Sequence, residues 1–130
     1  MSETIKLLVY SDNKEMRSAI MEAIGHRPGK GLPAVEWVQT ASPLVALDEA
    51  KNTKFPVAVL DGEAAKASGM VVARTISDRL PQDHVPKFVI TVARPQDEWL
   101  AEFSGAAKIV LEPLDPREVQ QAVAQLLRQA

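Results

Sequence analysis

Two hydrophobic periodicities alternate along the whole chain, and this alternation limits what it can fold into more than any other feature. Short, nearly continuous apolar runs are followed by segments whose apolar residues recur every three to four positions. Residues 5–10 (IKLLVY) are the first run, as expected of a strand buried on both faces. After Asp12, read as an N-cap, Met16, Ile20, Ala23 and Ile24 fall on one helical face, and Gly25 closes the segment. Residues 26–33 (HRPGKGLP) are a loop on composition. Residues 34–40 (AVEWVQT) alternate more and read as an edge strand. Ser42 and Pro43 then supply an N-cap followed by proline at the first helical position, opening a helix to about Lys51.

The second half repeats the scheme. Residues 55–60 (FPVAVL) form a buried strand ending at Asp61-Gly62, and after a loop a helix runs from about Gly69 to Leu80 with Val72, Ile76 and Leu80 on one side. Residues 87–92 (KFVITV) are the fourth strand, Pro95 opens a short helix carrying Trp99, Leu100 and Phe103, and residues 107–111 are the fifth strand. Asp115-Pro116 starts the last helix, in which Val119, Val123, Leu126 and Leu127 share a face.

Five strands alternating with five helices predict an α/β fold, a five-stranded parallel sheet covered on both faces. Right-handed crossovers leave few topologies, and the doubly wound flavodoxin-like order 2-1-3-4-5 suits this length. The 130 residues fit one domain, 1–130, and the chain ends with the fifth helix, so no output domain is expected. A formal net charge of −2 gives no overall pull toward nucleic acid or an anionic membrane. Absence of cysteine excludes disulfides and thiolate zinc sites. The first apolar run is too short for a signal-peptide core or a membrane span, so a cytoplasmic protein with no direct membrane insertion is expected.

In an open parallel sheet, ligands bind at the carboxyl ends of the strands beside the switch point, here between strands one and three. Strand one delivers Ser11, Asp12 and Asn13, strand three Asp61, strand four Thr91, and strand five Glu112-Pro113. Carboxylates and hydroxyls thus converge on one mouth.

This pattern resembles the receiver domains of two-component response regulators over nearly the whole chain. The family carries an acidic pair after strand one, a phosphoacceptor aspartate ending strand three, Ser or Thr ending strand four and Lys-Pro ending strand five. The resemblance sets Ser11 and Asp12 on the acidic pair, Asp61 on the phosphoacceptor, Thr91 on the switch hydroxyl and Glu112 on the lysine, with Pro113 retained. Gly69 matches the glycine eight residues after the phosphoacceptor.

The departures matter more than the matches. In the family the acidic pair and the phosphoacceptor hold Mg²⁺. Ser11 removes one of three carboxylates, leaving Asp12, Asp61 and a backbone carbonyl near Glu63 for a weakened Mg²⁺ site; no cofactor is required. Glu112 reverses the sign of the lysine and repels a phosphoaspartate. The loop 63–68 also departs, with Ala65 and Ser68 where the family usually has proline and an acidic residue. Together these changes predict a receiver poorly phosphorylated or not phosphorylated at all.

Each site residue also has a plainer reading. Asp61 is otherwise a strand-end carboxylate capping the next loop, Asp12 a helix cap, and Thr91 a residue favoured in strands. Glu112 is an extra acidic ligand, a neutral acid beside Asp61 or a solvated strand end; a crowded acidic mouth is favoured, in which at least one pKa rises. The loop 26–33 lacks P-loop spacing and sits away from the ligand edge, so a mobile basic surface loop is expected. His26 and His84 are lone and suggest neither metal nor catalysis.

Trp99, Leu100 and Phe103 cannot all face the sheet. Leu100 and Phe103 suit the buried stripe, leaving Trp99 toward solvent as a binding anchor. In receivers the fourth helix, fifth strand and fifth helix form the usual docking face, here carrying Trp99, Leu111, Arg117 and Gln121, with Gln120 and Arg128 around it.

The leading expectation is therefore an atypical, stand-alone receiver, not an enzyme, that docks to a protein partner independently of phosphorylation. It resembles the orphan receiver-like proteins of actinobacteria, some of which associate with large assemblies such as proton-pumping NADH dehydrogenase, respiratory complex I. That would leave the protein cytoplasmic, peripheral to a membrane complex through its partner. The alternative is a phosphoreceiver taking phosphate on Asp61 from a histidine kinase with Mg²⁺. A flavodoxin-like cofactor carrier is remote, since the acid after strand one would repel an FMN phosphate.

Overall fold

The computed structural model describes residues 3–129. The elements run β1 (Thr4–Tyr10), α1 (Lys14–Ile24), β2 (Ala34–Thr40), α2 (Pro43–Asn52), β3 (Val57–Asp61), α3 (Gly69–Arg79), β4 (Lys87–Val92), α4 (Glu98–Phe103), β5 (Ala106–Leu111) and α5 (Pro116–Gln129). The strands form one parallel sheet in the order β2-β1-β3-β4-β5, the flavodoxin-like arrangement the alternating periodicities predict. Among the described residues no helix is long and apolar enough to cross a membrane.

The side-chain period of two along each strand splits the core into two layers. Leu8 and Tyr10 of β1 join Leu60, Ile90, Ile76 and Ala101 on the side of α2, α3 and α4. Leu7 and Val9 join Val59, Val89, Ile20 and Val123 on the side of α1 and α5. Every residue of the central strand β3 is buried, whereas β2 at the edge buries only its end residues Ala34 and Thr40, which is why the first reads as an apolar run and the second does not.

Three local expectations need correction. The cap of α1 is Asn13, whose side chain accepts from the Glu15 amide at 2.9 Å; Asp12 is turned to the loop after β3 instead. Residues 95–97 form a single 3-10 turn, leaving α4 only six residues, and Gly105 at φ 103° ends it. On so short a helix Ala101 alone is buried, while Phe103 is 72% exposed and Leu100 is exposed as well. The basic loop after α1 is not free: Pro28 is buried, Arg27 donates to the Leu32 carbonyl, and Arg128 of α5 donates to the Lys30 carbonyl at 3.0 Å.

Candidate functional site at the carboxyl edge of the sheet

Strand register assembles the site before any side chain is considered. Tyr10 pairs with Leu60, so Ser11 and Asp61 are the next residues along two adjacent strands. Asp61 pairs with Thr91, and Val92 pairs with Leu111, so Glu112 follows beyond. The row Ser11, Asp61, Thr91, Glu112 thus crosses the edge where the topology changes direction.

Gly62 permits the close approach of β3 to β4. Its amide donates to the Thr91 carbonyl at 2.9 Å, and a Cβ there would lie 2.2 Å from the same oxygen. Gly69 is equally confined, since a Cβ would meet Leu60 Cβ at 2.7 Å and the Asp61 carbonyl oxygen at 2.9 Å.

Ser11 and Asp61 are both buried, and Ser11 Oγ donates to Asp61 Oδ2 at 2.8 Å. Asp61 Oδ1 accepts from the Glu63 amide at 2.8 Å, so both carboxylate oxygens have donors from the chain itself. Ser11 Oγ in turn accepts from the Asn13 amide at 3.0 Å, and the Ser11 carbonyl accepts from the Arg17 guanidinium at 2.8 Å.

The loop 62–68 is tied down from several sides. Asp12 Oδ2 accepts from the Lys66 amide at 2.8 Å, and Tyr10 Oη donates to the Ala67 carbonyl at 2.6 Å. Ser68 Oγ donates to the Gly62 carbonyl and accepts from the Met70 amide, capping α3. Glu63 Oε2 accepts from the Ala93 amide at 3.1 Å across the mouth. Burial, then the charges of Asp12 and Asp61, hold the Tyr10 phenol above its ordinary pKa, so it stays a donor to Ala67.

The crowding expected at the mouth falls on Glu112. Its carboxyl is pushed above the ordinary glutamate value, first by burial and then by the charges of Asp61 and Glu63, while the nearby Thr91 hydroxyl opposes part of the rise. Thr91 Oγ1 and Glu112 Oε2 are both buried, and neither has a partner in hydrogen-bonding geometry. The Glu112–Pro113 peptide is cis.

The carboxylates expected at a weak Mg²⁺ site are each engaged by the chain itself. Asp61, Asp12 and Glu63 each accept a backbone N–H, and Asp61 receives a hydroxyl donor besides. Among the described residues no three side chains of His, Cys, Asp and Glu are disposed to hold a metal ion, a pattern that two carboxylates with a backbone carbonyl would not form in any case.

The residues expected on one docking face lie on α4, the edge strand β5 and α5. Trp99 is 65% exposed on α4, and Leu111 packs half-buried against the core under α2, α3 and α4. Arg117 and Gln121 instead line a groove with Pro28 and Gly29 of the α1–β2 loop, and Gln120 is only half-exposed, donating to the Ala23 carbonyl of α1. The apolar surface around α4 extends toward α3. Phe103, one turn from Trp99, lies under the Arg74 guanidinium at 5.7 Å, and Val71 beside it is exposed.

Sequence reading did not single out Tyr10, Arg17, Val71 or Phe103 for these positions. Tyr10 had one signal, a phenol ending an otherwise aliphatic run next to acids; the rest depend on which helices become neighbours.

Together, fold and edge define a receiver-type α/β domain with an altered acidic mouth. No protein-family model matches the chain. Two curated relatives, both uncharacterized response regulatory proteins of Mycobacterium tuberculosis strains, are 35% identical over 127 residues, spanning 98% of this chain and 94% of theirs. The chain belongs to the response regulatory proteins of two-component signalling. Solved structures agree on the fold: the receiver domain of Francisella response regulator 1452 matches with a TM-score of 0.76 and 17% identity, covering 96% of this chain and 98% of that one. A CheY-like receiver domain protein from Methanospirillum hungatei matches at 0.73 and 16%, covering 98% and 96%.

Proposed function

We propose that this receiver domain signals by docking to a partner protein without accepting phosphate on Asp61. The observation that carries this reading is the engagement of both Asp61 oxygens, Oδ2 by Ser11 Oγ and Oδ1 by the Glu63 amide. An attacking carboxylate would first have to shed a buried hydroxyl donor, and the incoming phosphoryl group would then meet Glu112 where the family has a cation. The anchor for docking is the exposed pair Trp99 and Phe103 on α4, large aromatics of the kind that dominate interface energies. A partner within a large respiratory assembly, which would make the protein an accessory subunit peripheral to a membrane complex, rests on the resemblance to actinobacterial orphan receivers alone.

The test has two arms. A tagged copy in its own cells should recover a partner that Trp99→Ala loses and Asp61→Ala keeps. The purified chain, treated with acetyl phosphate and saturating Mg²⁺, should show no mobility shift. A shift abolished by Asp61→Asn would establish the phosphoreceiver instead, with a histidine kinase as its partner.

A further inference from the structure

The groove between α5 and the α1–β2 loop differs in character from the rest of the molecule. It encloses about 390 Å³ and is lined by two arginines and three glutamines, with no acidic residue, on a chain whose net charge is −2. Arg117, Gln121, Gln125 and Arg128 form a stripe of side-chain donors along one face of α5 at i, i+4, i+8 and i+11. The other wall is Pro28 and Gly29, with exposed Arg27 and Lys30 on the same loop.

The groove is built rather than incidental. Gly29 lets the loop lie against α5: a Cβ there would fall 2.9 Å from Arg128 Nη2 and 3.3 Å from Ala124 Cβ. The Arg128 hydrogen bond to the Lys30 carbonyl fixes its guanidinium at the groove end while leaving most of its donors unused. Among the described residues neither Arg117 nor Arg128 is ion-paired, the two ion pairs being Lys6–Glu36 and Arg94–Asp97.

We propose that this groove binds an acidic peptide segment of a partner protein, with carboxylates read at its two ends by Arg117 and Arg128. Eleven residues of helix separate the arginines by about 16 Å along the axis. An extended chain covers that span in about five residues. The preferred segment is therefore extended, with acidic residues at i and i+5 and small or polar residues between them for the glutamine amides. The groove shares no lining residue with the acidic mouth or with Trp99, so it stands or falls separately from the reading of Asp61.

The probe is an end-capped hexapeptide with glutamate at its first and last positions and glycine and serine between, titrated into the ¹⁵N-labelled full chain. Amide shifts should cluster at Gly29, Lys30, Gln121 and Gln125, weaken as salt rises, and vanish with a peptide carrying glutamine in place of glutamate. Arg117→Gln and Arg128→Gln should each weaken binding about fivefold, the range of an exposed ion pair, with folding checked by circular dichroism. Trp99→Ala should leave the titration unchanged. Equal binding of the glutamine peptide, shifts centred elsewhere, or no shift at millimolar peptide would overturn the proposal. Stronger binding of a short DNA duplex at the same amides would also overturn it, reassigning the groove to phosphate.

Discussion

Ser11 Oγ donates a 2.8 Å hydrogen bond to Asp61 Oδ2, joining the ends of β1 and β3 at the centre of the sheet edge. Both residues are buried, and this contact stands where the family places a second acid of the metal-binding group. A neutral donor here satisfies Asp61 without a cation.

Ser11→Ala should therefore destabilise the fold by about 1–3 kcal/mol, because it strips a donor from a buried carboxylate and an acceptor from the Asn13 amide. Urea denaturation at neutral pH measures it. A change within experimental error would mean that water replaces the hydroxyl at no cost.

The double substitution Ser11→Asp with Glu112→Lys should convert the mouth to a metal-binding one. Its thermal midpoint should rise with added Mg²⁺, while that of the unaltered chain stays flat. The double variant should also acquire an acetyl-phosphate-dependent mobility shift that Asp61→Asn removes. An Mg²⁺-independent double variant would place the block in the loop 62–68 rather than in these two residues.

Glu112 sets a pH dependence. Because its folded pKa is raised, the native state holds the proton more tightly than the unfolded chain, and ionising Glu112 weakens the fold. Glu112→Gln should thus gain stability relative to the unaltered chain above the raised pKa. That gain should shrink as pH falls and disappear below the ordinary glutamate value, about 4.3. Denaturant midpoints across this window would reveal it; a difference independent of pH would assign the effect to packing.

Tyr10→Phe removes the 2.6 Å bond to the Ala67 carbonyl and should cost about 1 kcal/mol. Its sharper signature is faster amide exchange across residues 65–68, with exchange in α5 unchanged. Unaltered exchange in that loop would show that Asp12 and Ser68 hold it without Tyr10.

How much was legible follows from the range of each interaction. Strands β1, β3 and β4 announce themselves because strands buried on both faces need unbroken apolar runs. The alternation of β2 announces an edge, and Ser42-Pro43 announces a helix start. The mouth was legible for the same reason: once five parallel strands are placed, the residues after them must share one edge.

Side-chain partnership was not legible. Asp12 and Asn13 are both competent caps, and only the approach of Lys66, 54 residues away, decides that Asp12 serves the loop and Asn13 the helix. Phe103 reads as core by spacing, yet a six-residue α4 buries one small side chain, and the Phe103 ring stays exposed with the Arg74 guanidinium of α3 over it. Trp99 and Arg117 stand on helices of different core layers, α4 and α5, which meet only at the edge strand β5.

Periodicity and strand-end residues therefore determine the architecture and the acidic character of its edge, because these arise within a few residues of chain. Which donor holds Asp61, which carboxyl has its pKa raised and which helix faces share a surface are decided by tertiary structure alone. Hydrogen bonds and charges act over a few ångströms, and only folding brings segments that far apart in sequence within that distance.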